Sequence, residues 1–255
     1  MSAAPPAPVK GERIAKVVAR AGLGSRRDVE RWIADGRVAV DGKILTTPAV
    51  VVTPENRITV DGRELPSPER ARLFRFHKPR GMLTTAHDPQ GRPTIYDGMP
   101  AGLPRLMPVG RLDFNSEGLL LLTNDGGLKR RLELPATGWV RRYRARVHGA
   151  PNPAALAQLK RGVTVEGVRY EPIDAAIERQ QGSNCWLRVA LAEGKNREVR
   201  RVLEYLGLPV NRLIRIAYGP FQLGDLPPAA CIEVPGKVVR DQLGEPPGPQ
   251  HRGKA

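Results

Sequence analysis

The chain has 255 residues, of which 40% are hydrophobic, and it carries 41 Lys and Arg against 26 Asp and Glu, for a formal charge of +15. This length suits one or two folded domains, and no apolar run is long enough to predict a membrane span. With two cysteines (Cys185 and Cys231) and four scattered histidines, the composition excludes a disulfide framework and a histidine–cysteine metal site.

The excess of positive charge predicts a polyanionic partner. Nucleic acid is the simplest one, because basic surfaces bind phosphates by displacing their counterions. Most of the excess falls within residues 70–240, so binding is not confined to a basic tail. The first residues, MSAAPPAPVKGER, lack the basic and then apolar pattern of a signal peptide. We therefore expect a cytoplasmic, monomeric protein that makes no membrane contact.

The first predicted unit follows a Pro- and Ala-rich segment, residues 1–10, which is expected to be disordered. Apolar residues at helical spacing predict a helix from Ile14, and a capping box, Ser25–Asp28, opens a second helix. Two short alternating strands follow in GRVAVDGKIL and NRITVDGREL, each with an Asp-Gly turn. We place this unit at residues 11–64, and the Pro and Ser content of residues 65–70 indicates a linker.

The second predicted unit, residues 71–240, mixes strands and helices without a regular alternation. LFRFHKP, LLLLT, RRYRARVHG and CWLRVALAEG are typical of strands, whereas NPAALAQLKRGV and NREVRRVLEYLG are typical of helices. Runs of strands with occasional helices predict an α+β domain built on a largely antiparallel sheet. The last residues, 241–255, are expected to form a disordered tail.

The first unit resembles the alpha-L RNA-binding module, which occurs in a ribosomal small-subunit protein and in many RNA-modifying enzymes. The matching sequence is RIAKVVARAGLGSRRDVERWIADGRVAVDGK. The resemblance implies that a basic stripe and the start of the second helix face RNA, and cations beside exposed helix amides do form an anion site. The residues assigned to this surface are Arg13, Lys16, Arg20, Ser25, Arg26 and Arg27. The alternative is an ordinary solvated helix face.

Asp113 stands in the turn-rich segment GRLDFNSEG, which immediately precedes the four leucines Leu119–Leu122. From the turn alone a structural role is favoured, because an Asp in a turn commonly hydrogen-bonds its own backbone. Two other segments raise the possibility of shared chemistry: Tyr143 lies amid arginines in RRYRARV, and EGKNREVRR gives a basic helix face. The structural alternative for that helix is i,i+4 pairing of Arg200 with Glu204.

Four segments, KPRG, GRLDFNSEGLLLLTNDG, RRYRARV and EGKNREVRR, closely resemble the pseudouridine synthases that modify ribosomal RNA, in the branch with an N-terminal alpha-L module. The resemblance spans residues 12–235. It implies that Asp113 is the catalytic residue, that Tyr143 packs on the target base, and that Arg200 pairs with the aspartate. The further RNA contacts assigned here are Lys78, Arg111, Lys195 and Arg197. The segment from EGKNREVRR to RLIRIAYG is more similar to large-subunit than to small-subunit rRNA enzymes.

The implied reaction explains why an acid, Asp113, stands in a conspicuous motif of a basic chain. Turning uridine into pseudouridine breaks a carbon–nitrogen glycosidic bond, rotates the uracil and reattaches it through a ring carbon. There is no redox change and no net hydrolysis, so no cofactor and no metal are expected. The carboxylate would either attack the sugar or remove a sugar proton, and an arginine would keep it ionised in a dry pocket. The uracil would leave the RNA stack and lie on Tyr143.

Two functions of other classes stay open at this point. A non-catalytic RNA-binding or ribosome-assembly factor would explain the charge and the first unit, but it gives Asp113, Tyr143 and Arg200 no joint role. A nuclease or RNA glycosidase usually carries metal ligands or paired acids. In the GRLD motif of this chain a single Asp, Asp113, stands instead.

Overall fold

The computed structural model describes residues 11–244, and the chain divides into two units between Arg70 and Ala71. The predicted linker, residues 65–70, ends at that division. The predicted disordered segment 1–10 lies outside the described residues, as does the predicted tail from residue 245 onward. Within residues 11–244, no helix is both long enough and apolar enough to cross a membrane.

The first unit combines two helices with short strands. In chain order its elements are β1 (Glu12–Arg13), α1 (Ile14–Arg20), α2 (Arg26–Ala34), β2 (Val38–Val40), β3 (Lys43–Ile44), β4 (Val51–Val52), β5 (Ile58–Val60) and β6 (Arg63–Glu64). Strands β3, β2, β5 and β6 form an antiparallel sheet in that order, and β1 pairs with β4. Ile14 and Val18 of α1 pack with Val29 and Ile33 of α2 on Val38, so the apolar stripes of both helices close one core.

The second helix begins where the sequence predicts it. The Ser25 hydroxyl oxygen accepts the Asp28 amide at 3.1 Å, and the Asp28 carboxylate accepts the Ser25 amide at 2.9 Å. These two bonds complete the predicted capping box and satisfy amides that the first helical turn leaves open. The start of this helix is therefore confirmed.

The second unit is built on a nine-stranded sheet. In chain order its elements are β7 (Leu73–Lys78), β8 (Met107–Val109), β9 (Ser116–Thr123), α3 (Gly126–Glu133), β10 (Arg141–His148), α4 (Pro153–Gln158), β11 (Val163–Val165), β12 (Val168–Tyr170), β13 (Ile173–Gln181), β14 (Asn184–Leu191), α5 (Glu198–Tyr205), β15 (Val210–Tyr218), β16 (Phe221–Gln222), β17 (Cys231–Glu233) and α6 (Gly236–Leu243). The strand order is β13-β14-β10-β15-β9-β7-β17, with β16 beside β15 and β8 beside β9. The named strand pairs of this sheet are antiparallel except β9–β15, so the predicted α+β class is confirmed.

The four leucines of β9 serve two cores, one on each face of the sheet. Leu120 and Leu122 pack on the face that carries Tyr143 of β10 and the apolar side of α5. Leu119 and Leu121 pack on the opposite face, beneath α3 and α6. A strand buried on both faces needs no polar alternation, which explains the uninterrupted leucine run. The loop that holds Asp113 therefore enters one of the most deeply buried strands of the unit.

The last helix of the second unit extends three residues beyond residue 240, where the sequence predicts the unit to end. Helix α6 runs through Leu243, and the side chains of Val239 and Leu243 are both buried in the core beneath it. The helix continues past residue 240 because Leu243, in its last turn, packs its apolar side chain into that core.

Candidate active site

The loop 110–116 carries Asp113 between β8 and β9. Its turn is closed by the backbone, because the Ser116 amide donates to the Asp113 carbonyl at 3.0 Å. The Asp113 side chain plays no part in that turn. Within the described residues its ion pair is with Arg197, whose Nη1 lies 3.6 Å from Oδ2. The structural role considered for Asp113, a carboxylate bonded to its own backbone, is therefore not observed.

Buried cations hold this loop by its carbonyl oxygens. The Lys78 ammonium, at the end of β7, donates to the carbonyls of Asp113 at 3.1 Å and Ser116 at 2.8 Å. The Arg200 guanidinium, on α5, donates to the carbonyl of Asn115 at 3.2 Å. Two elements that are distant in sequence thus fix the backbone on either side of the Asp113 carboxylate. Bonds from charged donors are stronger than those between neutral groups, so the loop is rigidly placed.

Two residues that the sequence did not reveal fix the same stretch of chain. Arg215 of β15 is buried, and it donates to the carbonyls of Leu119 at 2.7 Å and Arg111 at 3.4 Å. The Thr84 hydroxyl donates to the carbonyl of Leu112 at 2.8 Å and accepts the amide of that residue at 3.2 Å. No pattern in the sequence marks Thr84, because a single threonine in a loop carries no periodic signal.

The structure contradicts the prediction that Lys78 contacts RNA. Its side chain is fully buried, so a phosphate cannot reach the ammonium group. Burial lowers the pKa of Lys78 to about 8, and the negative charges of Asp113 and Glu117 oppose that fall. Lys78 is instead a positioning residue for the loop. A lysine next to a Pro-Arg-Gly sequence looks the same in either role, and only the tertiary fold distinguishes them.

The predicted direct pairing of Arg200 with Asp113 is also wrong. The Arg200 guanidinium is buried, and its hydrogen bonds go to the carbonyls of Val210 at 2.8 Å and Asn115 at 3.2 Å. Burial lowers the pKa of Arg200, as does the neighbouring charge of Arg197, whereas the negative charge of Asp113 raises it. Arg200 thus acts on Asp113 through the electric field and through the loop backbone, not by contact.

Arg197, predicted as an RNA contact, is the residue that pairs with the carboxylate. It precedes α5 and adopts a left-handed backbone conformation, with φ +52° and ψ +28°. That conformation costs a residue with a side chain about 1–2 kcal/mol. The Glu198 carboxylate accepts the Lys195 amide at 2.9 Å and so holds the adjoining turn in place. Strain of this kind clusters at functional sites.

A cleft of about 560 Å³ brings most of the residues predicted in the second unit together. Asp113 and Tyr143 both line it, whereas Lys78 and Arg200 lie behind its wall. The charged residues that line the cleft are Arg111, Asp113, Lys129, Glu133, Arg141, Lys195, Arg197, Glu198 and Arg215. The cations outnumber the carboxyl groups six to three, so the cleft favours an anionic ligand. Its volume suits a nucleotide.

Glu198 is a second carboxyl group in the wall of the cleft, and the sequence did not single it out. Its side chain is buried, and burial raises the pKa of Glu198 to about 7, although the bond from the Lys195 amide opposes that rise. A glutamate at a helix start resembles an ordinary capping residue, which is why its burial went unpredicted. Across residues 11–244, no group of three or more His, Cys, Asp or Glu side chains is arranged to hold a metal ion.

The RNA-contact residues predicted in the first unit fall into two sets. The exposed ones are Arg13, Arg26 and Arg27. Lys16 and Arg20 both form ion pairs with Glu12, which neutralises part of the predicted basic stripe. The hydroxyl of Ser25 is engaged in the capping box. Arg13, Arg26 and Arg27 therefore carry the freer charges of the predicted surface.

Two family models match this chain, one in each unit. Residues 72–205 match the RNA pseudouridylate synthase family, and residues 12–63 match the S4 domain. An uncharacterized RNA pseudouridine synthase of Rickettsia prowazekii is 43% identical over 231 residues, covering 91% of this chain and 97% of the relative. The ribosomal large subunit pseudouridine synthase B of Salmonella typhi is 45% identical over 219 residues, covering 83% of this chain and 75% of the relative.

A solved structure shares the fold. The crystal structure of a pseudouridylate synthase superposes with a TM-score of 0.63 at 24% sequence identity, covering 91% of this chain and 99% of the other. The family match spans the strands and loops that carry Asp113 and Tyr143, together with helix α5. The chain therefore belongs to the RNA pseudouridylate synthase family.

Proposed function

We propose that this protein converts uridine to pseudouridine in large-subunit ribosomal RNA, with Asp113 as the catalytic carboxylate. One observation carries the assignment of Asp113. The backbone of the loop 110–116 is held by Lys78, Arg200, Arg215 and Thr84, while the carboxylate is left to face the cleft with Arg197 at 3.6 Å. Because other residues hold the loop, the Asp113 side chain is not needed for the turn and can serve another role.

The chemistry requires an ionised carboxylate at the ribose, because a protonated acid can neither attack the sugar carbon nor remove a sugar proton. The positive charges of Lys78, Arg200 and Arg197 lie near the Asp113 carboxylate. The glycosidic bond breaks at nitrogen and a new bond forms at a ring carbon, so the detached uracil has to turn within the cleft. Tyr143 lines that cleft and offers a flat surface for the unstacked base.

Family membership makes this chain an RNA pseudouridine synthase, which favours an enzyme over the non-catalytic factor and the nuclease. The assignment of large-subunit rRNA as the substrate is supported by the 45% identity to the ribosomal large subunit pseudouridine synthase B of Salmonella typhi. The S4 match of the first unit is consistent with a structured RNA. We also propose a cytoplasmic location, where such RNA is found. The monomeric state stays a prediction.

Mapping of pseudouridines tests the substrate. Chemical mapping of all rRNAs, from cells with and without the gene, is expected to show the loss of one large-subunit pseudouridine or of a few neighbouring ones. Restoring the gene should restore the modification, and restoring an Asp113→Asn version should not. Loss of a site in small-subunit rRNA or tRNA would contradict the substrate assignment while leaving the activity in place.

The ion pair between Arg197 and Asp113 gives a second expected result. Arg197→Gly removes the counter-charge, and glycine accepts the left-handed backbone without steric cost. We expect kcat to fall about 2- to 5-fold, the range for a partly exposed ion pair. Thermal stability should be unchanged or slightly raised, because backbone strain is relieved. Multiple-turnover pseudouridine formation on an rRNA fragment measures kcat, and single-turnover formation at saturating enzyme measures the chemical step by itself.

Lys195→Gln is the matched control for this variant. It removes one positive charge from the same cleft, but the Lys195 ammonium pairs with Glu193 at 2.6 Å and not with Asp113. Its expected effect is a higher KM with kcat close to that of the wild type. Equal loss of kcat in both variants would show that general attraction of phosphate, not the ion pair, is what matters.

A further inference from the structure

The strand β10 presents two different faces. Tyr143 and Ala145 are buried on the face that lines the core and the cleft. The alternate residues Arg142, Arg144 and Arg146 point to the other face, because successive side chains of a strand alternate. The sequence RRYRARV thus places an aromatic residue at the cleft and a row of arginines on the reverse side of the same strand.

Neighbouring strands extend this row. On β14, Arg188 lies directly opposite Arg144, and Trp186 lies opposite Arg146. On β15, Arg212 lies opposite Arg146 from the other side. Directly opposed residues of paired strands share a face. We call this surface the arginine face, and its members are Arg142, Arg144, Arg146, Arg188 and Arg212, all of them exposed or half-buried.

Acidic residues neutralise only part of this face. The Glu178 carboxylate pairs with Arg144 at 2.8 Å. The Glu117 carboxylate pairs with Arg212. Asp174, farther out on β13, pairs with Lys160 at 3.0 Å. The remaining arginines have no ion pair among the described residues; they are Arg142, Arg146 and Arg188. Arg179, opposite Trp186 at a bulge in β13, adds a further exposed cation.

Folding alone does not favour this arrangement. Arg144 faces Arg188 across one strand pair, and Arg146 faces Arg212 across the next. Like charges directly opposite each other destabilise a sheet, and the open side of an antiparallel sheet accepts many polar residues without such repulsion. A bound polyanion would reverse the sign of this effect. A surface that lowers the stability of the free protein is expected to be retained when it serves a function such as binding.

We propose that the arginine face is a second RNA-binding surface, which holds phosphates of the RNA away from the cleft. Its side chains are spaced about 6.6–6.8 Å along a strand and about 4.7–4.9 Å between strands, so one RNA backbone can meet several of them in succession. Guanidinium groups suit phosphate because they donate two parallel hydrogen bonds. The Arg144 guanidinium lies 4.7 Å from the ring centre of Trp186, which supports it from below. This inference depends on the RNA substrate class of the family, and not on the role of Asp113.

The test uses the full-length protein with Arg146→Gln and Arg188→Gln combined. Binding to a large-subunit rRNA transcript should weaken about tenfold at 0.15 M salt, and the slope of log affinity against log salt should become shallower by about 1.4–1.8 for two lost phosphate contacts. Thermal stability should stay equal or rise, because each substitution removes a like-charge pair. Pseudouridine yield at saturating enzyme should be unchanged, since the cleft is intact.

The double variant Lys237→Gln and Arg240→Gln on α6 is the matched control, because it removes two exposed charges from the same unit. It should bind the transcript nearly as tightly as the wild type. Equal weakening in both double variants would overturn the proposal in favour of general net charge. Unchanged RNA affinity in the arginine-face variant would also overturn it, and would leave the face to a protein partner. Phosphate contacts carry no sequence information, so the result does not depend on which uridine is modified.

Discussion

The Asp113→Asn variant is expected to fold normally and to form no pseudouridine. Asparagine keeps the size of the side chain, and the contacts that shape the loop go to the Asp113 carbonyl, which the substitution retains. An amide can neither attack the sugar nor take a proton from it. We expect activity to fall by about 10⁴-fold or more, as for other residues that perform the chemical step. RNA affinity should be equal or slightly higher, because one repulsive charge leaves a basic cleft.

Pseudouridine yield on an rRNA fragment, circular dichroism and RNA binding together test this expectation. Asp241→Asn, which changes an exposed acid on α6, is the control and should keep full activity. Wild-type activity in a folded Asp113→Asn protein would remove Asp113 from the mechanism. A variant that failed to fold would instead show that the carboxylate contributes to the structure, contrary to the observed hydrogen bonds.

The Gly118→Ala variant is expected to lose both stability and activity. Gly118 has φ +105°, and a Cβ atom there would lie 2.4 Å from the Arg215 carbonyl oxygen on the paired strand β15. The strained backbone costs about 1–3 kcal/mol, and overpacking costs about as much again. That is a large part of the 5–15 kcal/mol that stabilises a typical domain. Displacing Arg215 would also release Arg111 and Leu119, and with them the loop that carries Asp113.

Gly126→Ala is the matched control for this variant. Gly126 is the first residue of α3, its backbone is not in the left-handed region, and a Cβ atom there would meet nothing within 4 Å. We expect stability within about 1 kcal/mol of the wild type, with any change favourable. Denaturant unfolding of both variants measures the difference. A Gly118→Ala protein as stable as the control would mean that β9 and β15 can separate without cost.

Local pattern was enough to predict much of this molecule. The capping box at Ser25, the strand of β10 and the leucine run of β9 depend on neighbours in sequence, and the structure has them where the pattern indicates. Asp113 and Tyr143 were found by motif, and the fold does place both at one cleft. Their roles in the reaction stay proposals.

What sequence could not supply is the tertiary partner of each charge. Lys78 was predicted to contact RNA and Arg200 to pair with Asp113. Both side chains instead donate hydrogen bonds to loop carbonyls inside the protein. Strand β15 was not predicted, because Arg215 occupies a buried position and breaks the apolar alternation of VNRLIRIAY. The same buried arginine ties β15 to the loop of Asp113. Helices α3 and α6 escaped prediction because each is only 8 residues long and contains few apolar residues.

The loop 110–116 is anchored to β7, β15 and α5, so RNA binding is expected to rearrange the RNA and not this loop. The conformational entropy of ordering the loop that carries Asp113 is lost once, during folding, and need not be supplied by RNA binding. In the proposed mechanism the rearrangement at encounter therefore falls on the nucleic acid, whose target nucleotide unstacks and turns outward. Discrimination among uridines should then follow the free energy of extrusion, which favours a uridine in a loop or a mismatch over one paired in a continuous duplex.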